Sequence, residues 1–92
     1  MRILGYITHP RLMITIFKND DRFSVKFESG FYEQTYKFAS ADYLSTVEEL
    51  RQLIDAPFIA AVEQQLIAMH QQKMEAINRF LPPIEDDFDE II

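Results

Sequence analysis

Residues 22–28, Arg22-Phe23-Ser24-Val25-Lys26-Phe27-Glu28, alternate polar and apolar without a break. Such alternation puts every second side chain on one side of the chain, so it predicts a strand buried on one face. Ser29-Gly30 reads as a two-residue hairpin turn, and Phe31 to Phe38 as the returning strand. That turn pairs Phe27 with Tyr32, Lys26 with Glu33, Ser24 with Thr35 and Phe23 with Tyr36. A two-residue turn at His9-Pro10, compatible with a cis bond in a type VI turn, pairs Ile7 with Leu12, Gly5 with Ile14 and Ile3 with Ile16. A four-residue turn over Asn19 to Arg22 sets Ile16 against Val25 and Ile14 against Phe27. These three turns then agree on one apolar face: Ile3, Ile7, Leu12, Ile14, Ile16, Phe23, Val25, Phe27, Tyr32, Tyr36 and Phe38. Gly5 and Gln34 interrupt it, and Lys18 stands at its end. A one-residue slip at any turn would scatter that face. The expectation is a four-stranded antiparallel meander.

The pattern then changes period. Ser45 with Glu48, or Thr46 with Glu49, has the spacing of a capping box and opens a short helix to about Ile54. Asp55-Ala56-Pro57 reads as a stop followed by a new helix start, which runs from Pro57 to Phe80 and ends before Leu81-Pro82-Pro83. Ile59, Val62, Leu66 and Met69 form a regular stripe. Beyond Met69 the stripe drifts to Met74, Ile77 and Leu81, past a polar stretch at His70 to Lys73. The first half of this helix should be core-bound; the second should protrude or meet another chain. The fold class is therefore α+β, with one domain over residues 1–83 and an acidic-hydrophobic tail over 84–92 expected to be disordered.

Ninety-two residues suffice for one core, and with no Cys that core must hold without disulfides or thiolate metal sites. Eight Phe and four Tyr supply its bulk. The absence of Cys fits a reducing compartment. The apolar run at Ile3 to Ile7 is too short for a signal peptide, and no stretch approaches a membrane span. The expectation is a cytoplasmic protein. Two glycines cannot build a phosphate-cradling loop, no serine lies in a nucleophile-elbow context, and neither His9 nor His70 has a partner at metal-ligand spacing. In the tail, Asp87 and Asp89 lack the Gly and closing Glu of a calcium loop. These residues point to no enzyme, no cofactor and no metal.

The face of the sheet turned away from the helices carries the functional signal. The register above places Leu4, Tyr6, Met13 and Phe17 there as an apolar cluster. It adds five basic residues (Arg2, Arg11, Arg22, Lys26, Lys37) against two acidic ones (Glu28, Glu33), a net +3 on a chain whose total is −6. The charge is also split along the chain. Residues 1–37 hold six Lys/Arg against four Asp/Glu, and residues 38–92 hold three against eleven. An apolar patch of this size calls for a cover: the protein's own long helix, a second copy, or a single-stranded nucleic acid stacked on Tyr6, Phe17 and Phe31. In topology alone, a four-stranded meander followed by a helix is similar to the single-strand-binding fold of transcriptional coactivators and Whirly proteins. No residue pattern carries that family's binding positions over, and the acidic balance argues against a phosphate backbone.

The function expected from these residues is that of a small non-enzymatic protein–protein interaction module, homodimeric, with no membrane contact. Its interaction face would comprise Tyr6, Arg11, Met13, Phe17, Arg22, Lys26 and Lys37. The tail supplies a second motif, Ile84, Phe88, Ile91 and Ile92 on one face of an acidic segment. It would dock on a protein partner or fold back over the basic residues of the body. The alternative function is a single-stranded nucleic-acid-binding regulator using the same sheet face.

Overall fold

The computed structural model of the chain describes residues 1–82. Four antiparallel strands, β1 (Arg2–Ile7), β2 (Met13–Asn19), β3 (Arg22–Ser29) and β4 (Tyr32–Ala39), form one sheet in sequential order. Two helices follow, α1 (Val47–Leu53) and α2 (Ala56–Phe80). This is the expected meander with a short and then a long helix. No helix among the described residues is long and apolar enough to cross a membrane. The tail motif at Ile84, Phe88, Ile91 and Ile92 lies outside the described residues.

Both helix starts follow from their capping residues. Thr46 is the N-cap of α1, and its hydroxyl accepts from the Glu49 N–H at 3.2 Å. The Glu49 carboxylate reaches back to the Thr46 N–H at 3.1 Å and the Ser45 N–H at 2.7 Å. Of the two frames the sequence allowed, Thr46 with Glu49 forms. Asp55 caps α2 by accepting from the Phe58 N–H at 3.0 Å, with Pro57 in the first turn, where a missing N–H leaves no bond unmade.

The core lies between the helices and one face of the sheet. Leu12, Ile14, Ile16, Phe23, Val25 and Phe27 from the sheet side meet Leu44, Leu50, Ile54, Val62 and Leu66, all buried. Phe27 is stacked on Phe58 with centroids 5.8 Å apart and meets the Tyr36 ring edge-on at 5.8 Å. Each such side chain contributes about 1.5–3 kcal/mol through burial.

Both interruptions of the apolar face are occupied. Opposite Gly5, the Arg51 guanidinium takes the space a side chain would fill: a Cβ there would lie 3.0 Å from Nη2. Arg51 donates through Nη1 to the Tyr6 carbonyl at 3.1 Å, tying α1 to β1. Gln34 donates to the Val62 carbonyl of α2 at 2.9 Å and accepts from the Tyr36 hydroxyl at 2.7 Å. The two gaps in the apolar face thus become the sites of polar ties between sheet and helices.

The turns differ in detail from expectation. The β3–β4 turn is Gly30-Phe31, with Ser29 paired to Tyr32, so Phe27 faces Gln34 and Phe23 faces Phe38. Gly30 takes a left-handed φ of 59° at the first turn position, as Asp20 does (55°) in the Asp20-Asp21 turn between β2 and β3. Centring the turn one residue later is what gives Gly30 that position. The pairing moves by two residues, so every side chain keeps its face. Ile16 faces Val25 and Ile14 faces Phe27, as the sequence implied.

The β1–β2 connection is longer than a two-residue turn, and its His9-Pro10 bond is trans. The His9 ring organises it: Nδ1 accepts from the Arg11 N–H at 3.1 Å and the Leu12 N–H at 3.2 Å. Ile7 therefore pairs with Ile14 and Gly5 with Ile16. A β-bulge at Leu4 then shifts the ladder by one, pairing Ile3 with Phe17 and Arg2 with Lys18. A bulge reverses the faces beyond it. Ile3, expected in the core, is 52% exposed on the outer face, and Leu4, expected outside, packs against the core.

Candidate functional site

Two surfaces are left uncovered by the described residues: the outer face of the sheet, and a groove that continues into the far half of α2.

On the outer face, Ile3, Tyr6, Met13 and Phe17 form the apolar cluster; Ile3, Tyr6 and Met13 are 52–61% exposed and Phe17 is half-buried. Thr15 sits in a cross-strand row between Tyr6 and Lys26, and Ser24 in one between Phe17 and Lys37. Both small side chains are buried under their longer neighbours. Lys26 lies 5.6 Å from the centroid of the Phe17 ring and 3.6 Å from Glu28, so its charge is already engaged within the face. Arg22 and Lys37 share this side of the ladder.

Arg11 does not belong to this face. It lies in the β1–β2 connection and reaches across to α2, where Nε donates to Glu63 Oε2 at 2.6 Å and Nη2 to Oε1 at 3.2 Å. Arg2 leaves the face too, because the bulge pairs it with Lys18 on the helix side. The cations of the outer face are then Arg22, Lys26 and Lys37 against Glu28 and Glu33, a net +1 in place of +3. Of the seven residues expected there, the structure brings together Tyr6, Met13, Phe17, Arg22, Lys26 and Lys37.

The groove was not read from the sequence. It is an open cleft of about 450 Å³ where the β1–β2 connection and the ends of β3 and β4 meet the middle of α2. Its lining is mostly apolar, with Leu12, Tyr32, Leu66 and Ile67 the main contributors. One end is closed by the Arg11–Glu63 pair. The bidentate contact holds the Glu63 carboxyl below the ordinary carboxylate range, opposed by partial burial. The His9 Nε2, which carries the proton because Nδ1 is an acceptor, points at the same carboxylate from 4.0 Å. At the other end the Tyr32 hydroxyl and His70 Nδ1 are 2.7 Å apart, with their rings edge to face. Next along α2, the Lys73 ammonium stands over the Phe31 and Tyr32 rings at 5.1 and 5.2 Å.

Beyond Lys73 the helix outruns the sheet. Residues 74–82 are exposed apart from a half-buried Ile77, and they include Met74 (39%), Phe80 (86%) and Leu81 (53%). The available signal was the drift of the apolar stripe to Met74, Ile77 and Leu81 after Met69; Ile67, exposed one residue round from Leu66, lies on the same line. Among the described residues no group of three His, Cys, Asp or Glu is placed to hold a metal ion. Compared with protein-family models, with curated proteins and with solved structures, the chain finds no match.

Proposed function

We propose that this chain is a small non-enzymatic protein–protein interaction module that works as a homodimer. The observation that carries the reading is the apolar surface left along α2 and its C-cap: Ile67 in the groove and Met74, Phe80 and Leu81 on the overhang are 39–86% exposed, on a helix whose other half is packed on the sheet. Several large apolar side chains left exposed along one element favour a contact with another chain. The Tyr6–Met13–Phe17 face is a second contact surface, and the tail at 84–92 a further one for a protein partner.

The charge arrangement favours a protein over a single-stranded nucleic acid. A net +1 face, with Lys26 already paired, offers few cations to phosphates, and the chain as a whole is at −6. Sedimentation of the full chain at tens of micromolar tests the reading: a dimer is expected, with little response to salt. A monomer that binds oligonucleotides, with affinity falling steeply as salt rises, would replace it with the nucleic-acid function.

A further inference from the structure

We infer that two copies of this chain associate through an antiparallel pairing of α2, each placing its Phe80–Leu81 end in the other's groove. The inference rests on the homodimer reading and specifies its surface.

Helix α2 carries two seams. Ile59, Val62, Leu66 and Met69 face the sheet and are buried or half-buried. Glu63, Ile67, His70, Met74, Ile77 and Leu81 repeat at spacings of four and three on the next residue round, about 100° away on the helix surface. Such a repeat is the pattern by which one helix packs along another. The second seam begins inside the groove, at Glu63, Ile67 and His70, and ends on the overhang. Among the described residues this seam has no cover past Lys73, which reaches the Phe31 and Tyr32 rings: Met74 and Leu81 are exposed.

A second copy fits because hole and knob lie on the same helix. With a twofold axis at residue 72, Ile67 of one copy meets Ile77 of the other, and Phe80 comes opposite Gln64, about half a turn from Leu66 at the groove wall. One symmetric contact fills both grooves and covers both overhangs, and it closes without leaving a free site. Beside the axis Gln71 of one copy lies opposite position 73 of the other, within two residues of its own counterpart. Lys73, the nearest charge, is drawn aside onto Phe31 and Tyr32, so two ammonium groups do not meet there.

Charge and area agree with this choice. The stretch from 63 to 81 holds two acidic and two basic residues, and is therefore neutral on a chain of net charge −6. The exposed parts of Ile67, Met74, Phe80 and Leu81, with the groove walls, give on the order of 1,000 Å² buried in the pair, the lower bound for a specific interface.

The test uses the full chain. Because the sequence has no Cys, Gln71→Cys offers a single thiol, which a short bis-maleimide should link into a dimer, whereas Gln52→Cys on α1 should not link. Met74→Glu places a charge on an exposed position. It should weaken dimerisation by more than about tenfold while leaving the circular dichroism and melting of the domain intact; Ile67→Glu should do the same. Met13→Lys and Phe17→Lys should leave the dimer unchanged. A dimer that survives Met74→Glu but is lost in Met13→Lys overturns the inference and keeps the homodimer reading. A dimer in which Gln71→Cys fails to link refutes the antiparallel arrangement. Wild-type chain that stays monomeric at tens of micromolar overturns both.

Discussion

Removing the Phe27 ring tests the assignment of the two sheet faces directly. Phe27 is fully buried, stacked on Phe58 and edge-on to Tyr36. Deleting a core aromatic costs about 3–5 kcal/mol, the transfer free energy plus the cavity left behind. The two ring contacts each add about 0.5–1.5 kcal/mol beyond area, which places Phe27→Ala near the upper end. A chain of this length has about 5–14 kcal/mol in all, so a third or more of its stability should go. At about 4–8 °C per kcal/mol, the melting temperature should fall by roughly 15–40 °C. Urea unfolding followed by circular dichroism at fixed protein concentration measures this, and Phe27→Leu, expected to lose about 1–1.5 kcal/mol, covers the case in which the alanine variant does not fold. Phe17→Ala is the control from the opposite face: half-buried, it should lose no more than about 1.5 kcal/mol. If Phe17→Ala lost as much as Phe27→Ala, or if Phe27→Ala lost less than about 2 kcal/mol, the face assignment would be wrong.

Three further outcomes follow from particular contacts. Gln34→Ala breaks the bonds to the Val62 carbonyl and the Tyr36 hydroxyl and should destabilise by about 1–3 kcal/mol. Gln34→Glu should be worse at neutral pH, because it turns an acceptor toward the Val62 carbonyl, and should recover on acidification; equal melting of the two variants at both pH values would deny Gln34 its tying role. Thr46→Ala should lose about 1 kcal/mol through the α1 cap while Thr46→Ser loses little, as read by chemical denaturation. Arg11 depresses the Glu63 carboxyl in the folded state, so the stability this pair contributes is present at neutral pH and is lost as pH falls below the ordinary carboxylate range, through the folded-state value. Thermal melts from pH 7 to pH 3 should show a shallower acid limb for Glu63→Gln than for wild type, and parallel limbs would count against the pair.

The faces of the sheet were legible in the sequence because side-chain parity tolerates error in steps of two. The β3–β4 turn fell one residue later than expected, and the β1–β2 connection was longer. Each change moved the pairing by two, so Ile14, Ile16, Val25 and Phe27 remained on the core side. A bulge moves the pairing by one, and nothing in Arg2-Ile3-Leu4-Gly5 announces it. Ile3 and Leu4 are both large and apolar, so alternation fits them equally well in either orientation. The bulge lies next to Gly5, where the Arg51 side chain from α1 takes the place of a core residue. That contact joins residues far apart in sequence, and no local pattern encodes it.

The same reasoning explains why the surface reading changed most. Parity assigns a side chain to a face only inside a hydrogen-bonded ladder. Arg11 stands outside the ladder, in the β1–β2 connection, and is free to follow charge: Glu63 lies 52 positions along the chain, and the bidentate bond takes Arg11 to the helix side. Arg2 is inside the ladder but beyond the bulge, so its face reverses. With these two cations gone, the outer face drops from +3 to +1, and much of the electrostatic case for a nucleic-acid partner goes with them. The same movement of Arg11 builds one end of the groove on α2. A residue counted as part of a phosphate-binding face thus becomes part of the wall beside which a second copy's Phe80 would seat, and the balance between the two functions turns on where that one guanidinium finds its carboxylate.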